Sequence, residues 1–226
     1  MDDDHDLRDF SNLVRLFPLP RVVHFPHAVV PLHIFEPRYR QMTEDALAGD
    51  KLIAIVQLLP PGMAQGLGTP PIADVACLGK ILQHQRLPDG RFNLLLLGRK
   101  RVQLRHELEP GTRLYRQAKA KILEEEPCEA TEVMLGQRLR DVFRQVFERH
   151  QELDPDLASL LDNSTVSLGV LTDIIAHALP LAIESKQALL AEPRVARRAD
   201  ELLDLLSRAA EAALPPHSFP PPFSVN

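Results

Sequence analysis

The sequence predicts an α+β fold in which strands come first and helices follow. Up to about Leu123 the apolar residues form short runs that proline interrupts, whereas after Cys128 they recur at spacings of three and four. Proline cannot donate to a sheet ladder, so the first half is expected to consist of short strands, edges and corners, as in a coiled barrel. Because the two kinds of element are segregated along the chain, a parallel doubly wound sheet is disfavoured.

The strands of the first half are predicted from their apolar runs. The first four are Leu13–Phe17, Val22–Phe25, Val29–Phe35 and Leu52–Leu59. A hairpin follows, because Leu87-Pro88-Asp89-Gly90 is a turn sequence between Val75–Gln85 and Phe92–Leu97. The run Leu94–Leu97 is apolar at every position, which predicts a strand covered on both faces.

One helix is predicted within this half. Pro37 suits the first helical position and Gly49 suits the position just after the last turn. The residues between them that form an apolar stripe are Tyr39, Met42, Ala46 and Leu47.

The second half has the period of helices. One stripe runs from Leu135 to Phe147, Asp154-Pro155 resembles a helix start, and another stripe ends at Pro180. A short helix over 182–191 and a longer one from Pro193 complete the set. The predicted organisation is an acidic disordered leader (1–12), a β lobe (13–127), a helical lobe (128–214) and a proline-rich tail (215–226).

Composition places the chain among soluble proteins. Its formal net charge is −5, and residues 2–9 alone, with five Asp and one Arg, account for −4. The rest of the chain is therefore nearly neutral, so net charge does not select an acidic or a nucleic-acid partner.

Three features of the sequence bear on where the protein is found. Cys77 and Cys128 are too far apart for a CxxC site, and the N-terminus lacks a signal peptide. No apolar run approaches the roughly 20 residues of a membrane span. We expect a cytoplasmic protein with reduced thiols and no membrane contact.

Several segments of the chain match a known family. They are Phe17-Pro18-Leu19, Phe25-Pro26, Pro31-Leu32, Ile34-Phe35-Glu36 and Arg38-Tyr39, with further matches at Val75–Leu82, at Leu87-Pro88-Asp89-Gly90 and at Asp173–Leu190. This pattern, roughly from Leu13 to Leu206, resembles the N-terminal substrate-binding domain family of Lon protease, especially the form found without the rest of the protease. One departure is His27, where the full-length protease usually has glycine after Phe-Pro.

The resemblance implies both a fold and a role. The fold would be a PUA-like β-barrel lobe with one inserted helix, followed by a helical bundle. The role would be non-enzymatic recognition of unfolded or degron-bearing protein segments, with a protease as a further partner. The chain itself would be a monomer or a weak dimer.

The sequence contains no catalytic signature of an ATP-dependent protease. The one Gly-Lys pair, Gly79-Lys80, is followed by Ile81 and is preceded at the required position by Asp74, so it does not form a phosphate-binding loop. Ser185 and Lys186 are adjacent on a predicted helix, where neighbouring side chains point about 100° apart and cannot form a dyad. We therefore predict no enzyme activity and no cofactor.

Two other functions remain open. If residues 98–109 form a strand, Arg99, Arg101 and Arg105 share one face and could hold RNA phosphates. A small-molecule pocket between the lobes is the other alternative. Three histidines, at 24, 27 and 33, lack the spacing of a metal signature, so no metal site is predicted.

A surface that recognises protein segments needs apolar groups that the core does not use. Met63 and Leu67 are the candidates, because they lie in a loop rich in proline and glycine. An exposed strand edge could also accept an extended peptide as an extra strand. Glu36 and Arg38 bracket the start of the first helix, so we assign them a structural role: Glu36 would offset the helix N-terminus and Arg38 would pair with a carboxylate of the sheet.

Overall fold

A computed structural model describes residues 10–60, 70–109, 111–128, 130–147 and 155–211. The described residues form an α+β fold with six strands and six helices, as the segregated pattern predicted. The strands are β1 (Leu13–Leu19), β2 (Val29–Ile34), β3 (Leu52–Gln57), β4 (Val75–Arg86), β5 (Phe92–Glu107) and β6 (Gln117–Ile122). The helices are α1 (Pro37–Leu47), α2 (Glu132–Phe147), α3 (Pro155–Asp162), α4 (Leu168–Ala178), α5 (Ile183–Ala191) and α6 (Val195–Glu211).

The six strands form one sheet in the order β2-β5-β4-β3-β1-β6. The pairing of β1 with β3 is parallel and the other pairings are antiparallel. Strand β6 pairs with β5 as well as with β1, so five of the strands form a closed circuit and β2 extends the sheet beyond it.

Two apolar clusters cover opposite faces of this sheet. Adjacent residues of β1, Leu16 and Phe17, belong to different clusters, because successive side chains of a strand point to opposite faces. Leu16 packs with residues of β3, β4, β5 and β6 in the cluster enclosed by the circuit. Phe17 packs on the other face with residues of β2 and with Tyr39 and Met42 of α1.

Helix α1 begins and ends where its sequence predicted. Pro37 is at the start of the helix and Tyr39 and Met42 are buried, as expected of the apolar stripe. Gly49 comes directly after the C-cap residue Ala48, as predicted, but it is not among the residues with a positive φ. Lys51 has that conformation, with φ 62°, and its N–H donates to the Ala46 carbonyl at 2.9 Å. The chain therefore makes its left-handed turn two residues after Gly49.

The structure corrects three strand predictions. Residues 22–25 are not a strand, and a turn follows them at Pro26 and His27. The segments predicted as two strands, 92–97 and 98–109, form the single strand β5. Strand β6 was not predicted, because its alternating alanines and lysines carry a weak apolar signal.

The contacts within the chain group residues up to Leu123 into one unit and residues from Glu124 into a second. The second unit contains α2 to α6. Ser167 accepts a hydrogen bond from the Val170 N–H at the start of α4, and α4 ends before Pro180. The buried residues of α2 and α6, such as Leu139, Phe143 and Leu202, are members of the predicted stripes.

Candidate functional site

Where β2 pairs with β5, the sheet presents apolar side chains to solvent. Val29 and Pro31 of β2 pair with Leu97 and Leu95 of β5, and all four point away from the α1 cluster. Their neighbours along both strands are buried in that cluster, whereas Val29 is 39% exposed and the other three are partly exposed. We call these four residues together with Leu82 the outer apolar face.

Leu82 reaches the solvent because of a β-bulge in β4. Ile81 pairs with Leu96 and Gln83 pairs with Leu95, so Leu82 is an extra residue without a partner in the register. Its side chain is 52% exposed. A bulge re-aims the side chain it carries, and here it adds an exposed apolar group next to Gln83, the residue that pairs with Leu95.

The rim of the outer apolar face is polar near His33 and Arg91. His33 Nδ1 lies 2.7 Å from Asn93 Oδ1, and Arg91 Nη1 lies 3.3 Å from His33 Nε2. The Arg91 guanidinium is also paired with Asp89 at 2.6 Å, so its charge is largely offset. The ring of Phe35 stacks on the His33 imidazole, with centroids 6.2 Å apart, and continues the apolar surface past the end of β2.

The free edge of β2 is blocked in its middle. The Gly98 N–H donates to the Ala28 carbonyl, which places Val30, Leu32 and Ile34 at the positions bonded to β5 and points the backbone of Pro31 outward. Pro31 has no N–H to offer there, as is typical of proline on an edge strand. The open alternative of strand addition at this edge is therefore disfavoured, and the face is the better binding surface.

The Phe25-Pro26 motif positions β2. Phe25 and Pro26 are buried, and the His27 N–H donates to the Gly98 carbonyl at 2.9 Å. His27 has φ 64°, a left-handed conformation that favours glycine. The turn therefore lies directly over β5 and brings Val29 into register with Leu97.

The predicted arrangement around α1 was wrong in one part. Glu36 is the N-cap residue, at the helix N-terminus that its charge was expected to offset, and it makes no side-chain bond to the helix backbone. Arg38 pairs with Glu36 at 2.8 Å rather than with a carboxylate of the sheet, and its guanidinium lies 4.5 Å from the centre of the Tyr39 ring. Burial raises the pKa of the Tyr39 hydroxyl. This ring packs edge-on against Phe17, so the motif anchors α1 to the sheet.

The three arginines predicted to share one exposed face do not do so. Arg101 is only 2% exposed, Arg99 is partly buried and Arg105 is exposed. The reason is a pair of bulges: Leu78 and Gly79 oppose Lys100 and Gly98, and a second irregularity lies at Arg105. Each extra residue breaks the alternation on which the prediction depended.

Met63 and Leu67 lie outside the described residues. Among the residues that are described, no three His, Cys, Asp or Glu side chains are placed to hold a metal ion. Within the same residues, no helix is both long enough and apolar enough to cross a membrane.

A polar cavity of about 370 Å³ lies along the loop between β5 and β6, lined by residues 107–109 and 111–117. Both arginines that line it are already paired: Arg116 with Glu107 at 2.5 Å and Arg113 with Asp45 at 3.2 Å. Burial, followed by the hydrogen bond to Asp45, raises the pKa of Tyr115 to about 12. The cavity therefore offers an anionic ligand no arginine that is not already used by the fold.

Sequence reasoning missed the outer apolar face, although its signal was present. The alternation in β2 puts Val29, Pro31 and His33 on one side, and Leu95 and Leu97 are the second half of a run that no polar residue interrupts. Because the run Leu94–Leu97 is apolar on both faces, the sequence predicted that other parts of the fold cover both faces. The structure buries Leu94 and Leu96 and leaves the other two partly exposed.

Solved structures of the same fold come from two bacteria. The crystal structure of the Lon N-terminal domain protein from Xanthomonas campestris superposes with a TM-score of 0.61 at 22% identity, over 85% of this chain and 97% of that one. The N-terminal domain of the Mycobacterium avium complex Lon protease gives 0.66 at 18% identity, over 86% and 98%. These similarities establish the fold.

Relatives at the sequence level are much longer proteins. Lon protease of Roseiflexus castenholzii is 28% identical over 207 residues, which are 91% of this chain and 25% of that protein. Lon protease of Azospirillum brasilense is 31% identical over 187 residues, 82% of this chain and 22% of that protein. The chain thus spans about a quarter of the length of these relatives. The profile of the ATP-dependent protease La (LON) substrate-binding domain matches residues 14–208, and the chain belongs to this family.

Proposed function

We propose that this chain recognises protein segments through the outer apolar face. The observation that carries the proposal is the set of outward apolar side chains, Val29, Pro31, Leu82, Leu95 and Leu97, on a rigid part of the sheet. The family name adds support, because the matching domain is described as substrate-binding. The occupant would be an apolar, largely uncharged segment of an unfolded or degron-bearing protein.

The expected ligand is extended rather than helical. Leu95 and Leu97 are two residues apart on one strand, and Val29 and Pro31 repeat that spacing on the next. An extended ligand places its own side chains with the same two-residue period, whereas a helix presents them at three and four. At the part of the rim beside His33, Arg91 is paired with Asp89 and gives little advantage to a charged ligand.

Binding of this kind is passive. It depends on removing apolar surface from water, at about 25 cal/mol per Å², and it needs no nucleotide and no catalytic group. We propose that the chain is not an enzyme and that a protease acts on the bound segments. We also infer that the closed strand circuit is a PUA-like barrel and that α2 to α6 form a bundle.

A peptide-binding measurement tests the proposal. The probe is a fluorescein-labelled peptide of alternating leucine and serine, and its anisotropy is followed as protein is added. Leu82→Asn is expected to weaken binding at least about tenfold, because it removes a large apolar contact. Leu114→Asn is the matched control, since Leu114 is 63% exposed in the same unit but lies away from the outer apolar face. No binding by the wild type, or an equal loss in both variants, would refute the proposal.

A further inference from the structure

Strands β5 and β6 expose a group of cations that the fold does not neutralise. His106 pairs with Lys119, and Lys121 points to the same side two residues further along β6. Arg105, at the bulge beside His106, is exposed as well. We call these four residues the basic patch. None of them forms an ion pair with a residue that the structure describes.

The two strands contain a single carboxylate, Glu107, and it is already engaged. Both of its oxygens accept hydrogen bonds from Arg116, at 2.5 and 2.6 Å. Arg105, Lys119 and Lys121 carry positive charges on neighbouring positions of the two strands and therefore repel one another. An anion on the basic patch would relieve this repulsion, and its chemistry fits a run of carboxylates.

A run of carboxylates begins beside this patch in the same chain. Residues 2–9 carry five Asp and one Arg, a net charge of −4. The residues that follow them are held on β6: Leu13 pairs with Lys119, and the Ala120 N–H donates to the Asn12 carbonyl at 2.8 Å. The acidic segment therefore joins the fold within a few residues of the basic patch.

Phe10, the first described residue after this segment, is also held near the basic patch. Phe10 packs against the enclosed apolar cluster together with Leu104 and Ile122, the residues next to Arg105 and Lys121. Eight residues can extend up to about 26–29 Å, several times the spacing between neighbouring side chains on the two strands. The length of residues 2–9, their net negative charge and the place where they join the fold all suit binding to the basic patch.

We propose that the basic patch is a carboxylate-binding site and that residues 2–9 of the same chain occupy it. The contact is electrostatic, so it strengthens at low ionic strength and weakens as salt is added. An external polyanion would have to displace these residues in order to bind. This inference is independent of the outer apolar face and stands or falls separately from it.

A spin label on the acidic segment tests the contact directly. In the full chain, His5→Cys with Cys128→Ser allows one nitroxide to be attached, because Cys77 is fully buried. At about 0.01 M salt, where the Debye length is about 30 Å, we expect broadened amide resonances at residues 105–106 and 119–121. At about 1 M salt, where it is about 3 Å, the broadening should disappear.

Two variants separate a specific contact from mere proximity. Lys119→Gln with Lys121→Gln should remove most of the broadening, and Arg21→Gln, at an exposed arginine outside the patch, should leave it unchanged. Neutralising Asp2, Asp3, Asp4 and Asp6 to Asn should in turn raise the affinity for heparin, a polyanion probe, by about tenfold. Absence of broadening at low salt, broadening that persists in the double lysine variant, or unchanged heparin affinity would overturn the proposal.

Discussion

Gly98 lies so close to Phe25 that no larger residue fits in its place. A Cβ at position 98 would be 2.0 Å from the Phe25 carbonyl oxygen and 2.8 Å from its carbonyl carbon. Real Cβ atoms do not approach backbone this closely, and both partners are held, since the Gly98 carbonyl accepts a hydrogen bond from His27. The contact fixes where β2 starts, and with it the register of the outer apolar face.

The first prediction follows from this contact. Gly98→Ala should lower the free energy of unfolding by about 3 kcal/mol or more, because the backbone at Phe25 has to move. Gly79→Ala is the comparison: its Cβ would lie 2.7 Å from Leu96 Cγ, and because a side chain can shift more easily than the backbone, the loss should be smaller. Urea unfolding of both variants measures the difference. A Gly98 variant that is as stable as the Gly79 variant would contradict this account.

The second prediction concerns the left-handed residue in the same turn. His27 has φ 64°, which costs an L-residue about 1–2 kcal/mol. His27→Gly should therefore raise the free energy of unfolding by up to about 1 kcal/mol, after the entropy of glycine in the unfolded chain is subtracted. His27→Val should lower it, because branching at Cβ makes the conformation worse. A His27→Val variant whose melting temperature equals or exceeds that of the wild type would contradict this prediction.

The sequence predicted elements best where one local rule determines the structure. Helix α1 was found because Pro37, an apolar stripe and a C-terminal stop agree. The exposed face of β5 was mispredicted because bulges at Arg99 and Arg105 change the alternation, and bulges have no sequence signature here. Strand β6 was missed because Lys119 and Lys121 look like an ordinary solvated segment until the pairing with β1 is known.

The candidate site illustrates the same limit. The sequence shows that Leu94 to Leu97 are all apolar, but it does not show what covers each side. Leu82 is exposed only because the register shifts between Ile81 and Gln83. Burial on one face and exposure on the other depend on which elements pack there, so local pattern cannot separate them.

The third prediction addresses the free edge of β2. Pro31→Thr restores an outward N–H at the centre of this edge, so two copies can pair their strands. We expect association that increases with protein concentration, measured by sedimentation velocity. Pro20→Thr, at an exposed proline outside the strands, is the control and should sediment like the wild type. Identical sedimentation of all three proteins would mean that Pro31 does not protect the edge.

The fourth prediction is a pH dependence of the second unit. Burial lowers the pKa of Lys186 from 10.5 to about 8, and its ammonium donates to the His177 carbonyl at 2.9 Å. Between pH 8 and 10.5 the unfolded chain binds more protons than the folded one, so stability rises with pH. The slope has an upper limit of about 1.4 kcal/mol per pH unit. Tyr115 acts in the opposite direction above pH 10, because burial raises its pKa to about 12.

The measurement is therefore confined to the range from pH 8 to about 9.5, below the tyrosine titrations. The difference between wild type and Lys186→Met in urea unfolding isolates the lysine. Wild type should gain stability across this range relative to the variant. Parallel pH profiles for the two proteins would show that Lys186 is as well solvated when folded as when unfolded.

The fifth prediction concerns a buried arginine that holds the start of the second unit. Arg198 is 1% exposed and donates to Glu125 at 2.5 Å, to the Glu192 carbonyl at 3.1 Å and to the Thr172 hydroxyl at 3.3 Å. Asp173, also buried, lies 3.8 Å from its Nε. Removing the charge of Arg198 takes away the guanidinium that faces both Glu125 and Asp173.

Arg198→Met should accordingly lower the free energy of unfolding by about 3–5 kcal/mol, the usual cost of breaking a buried ion pair on one side. Arg197→Met is the matched control, because Arg197 is 57% exposed and its ion pairs with Glu192 and Glu201 are long. That change should cost less than about 1 kcal/mol. Combining Arg198→Met with Asp173→Asn should recover part of the loss, since the buried carboxylate no longer needs a partner. If the double variant is less stable than Arg198→Met alone, the packing of Arg198 rather than its charge holds the cluster together.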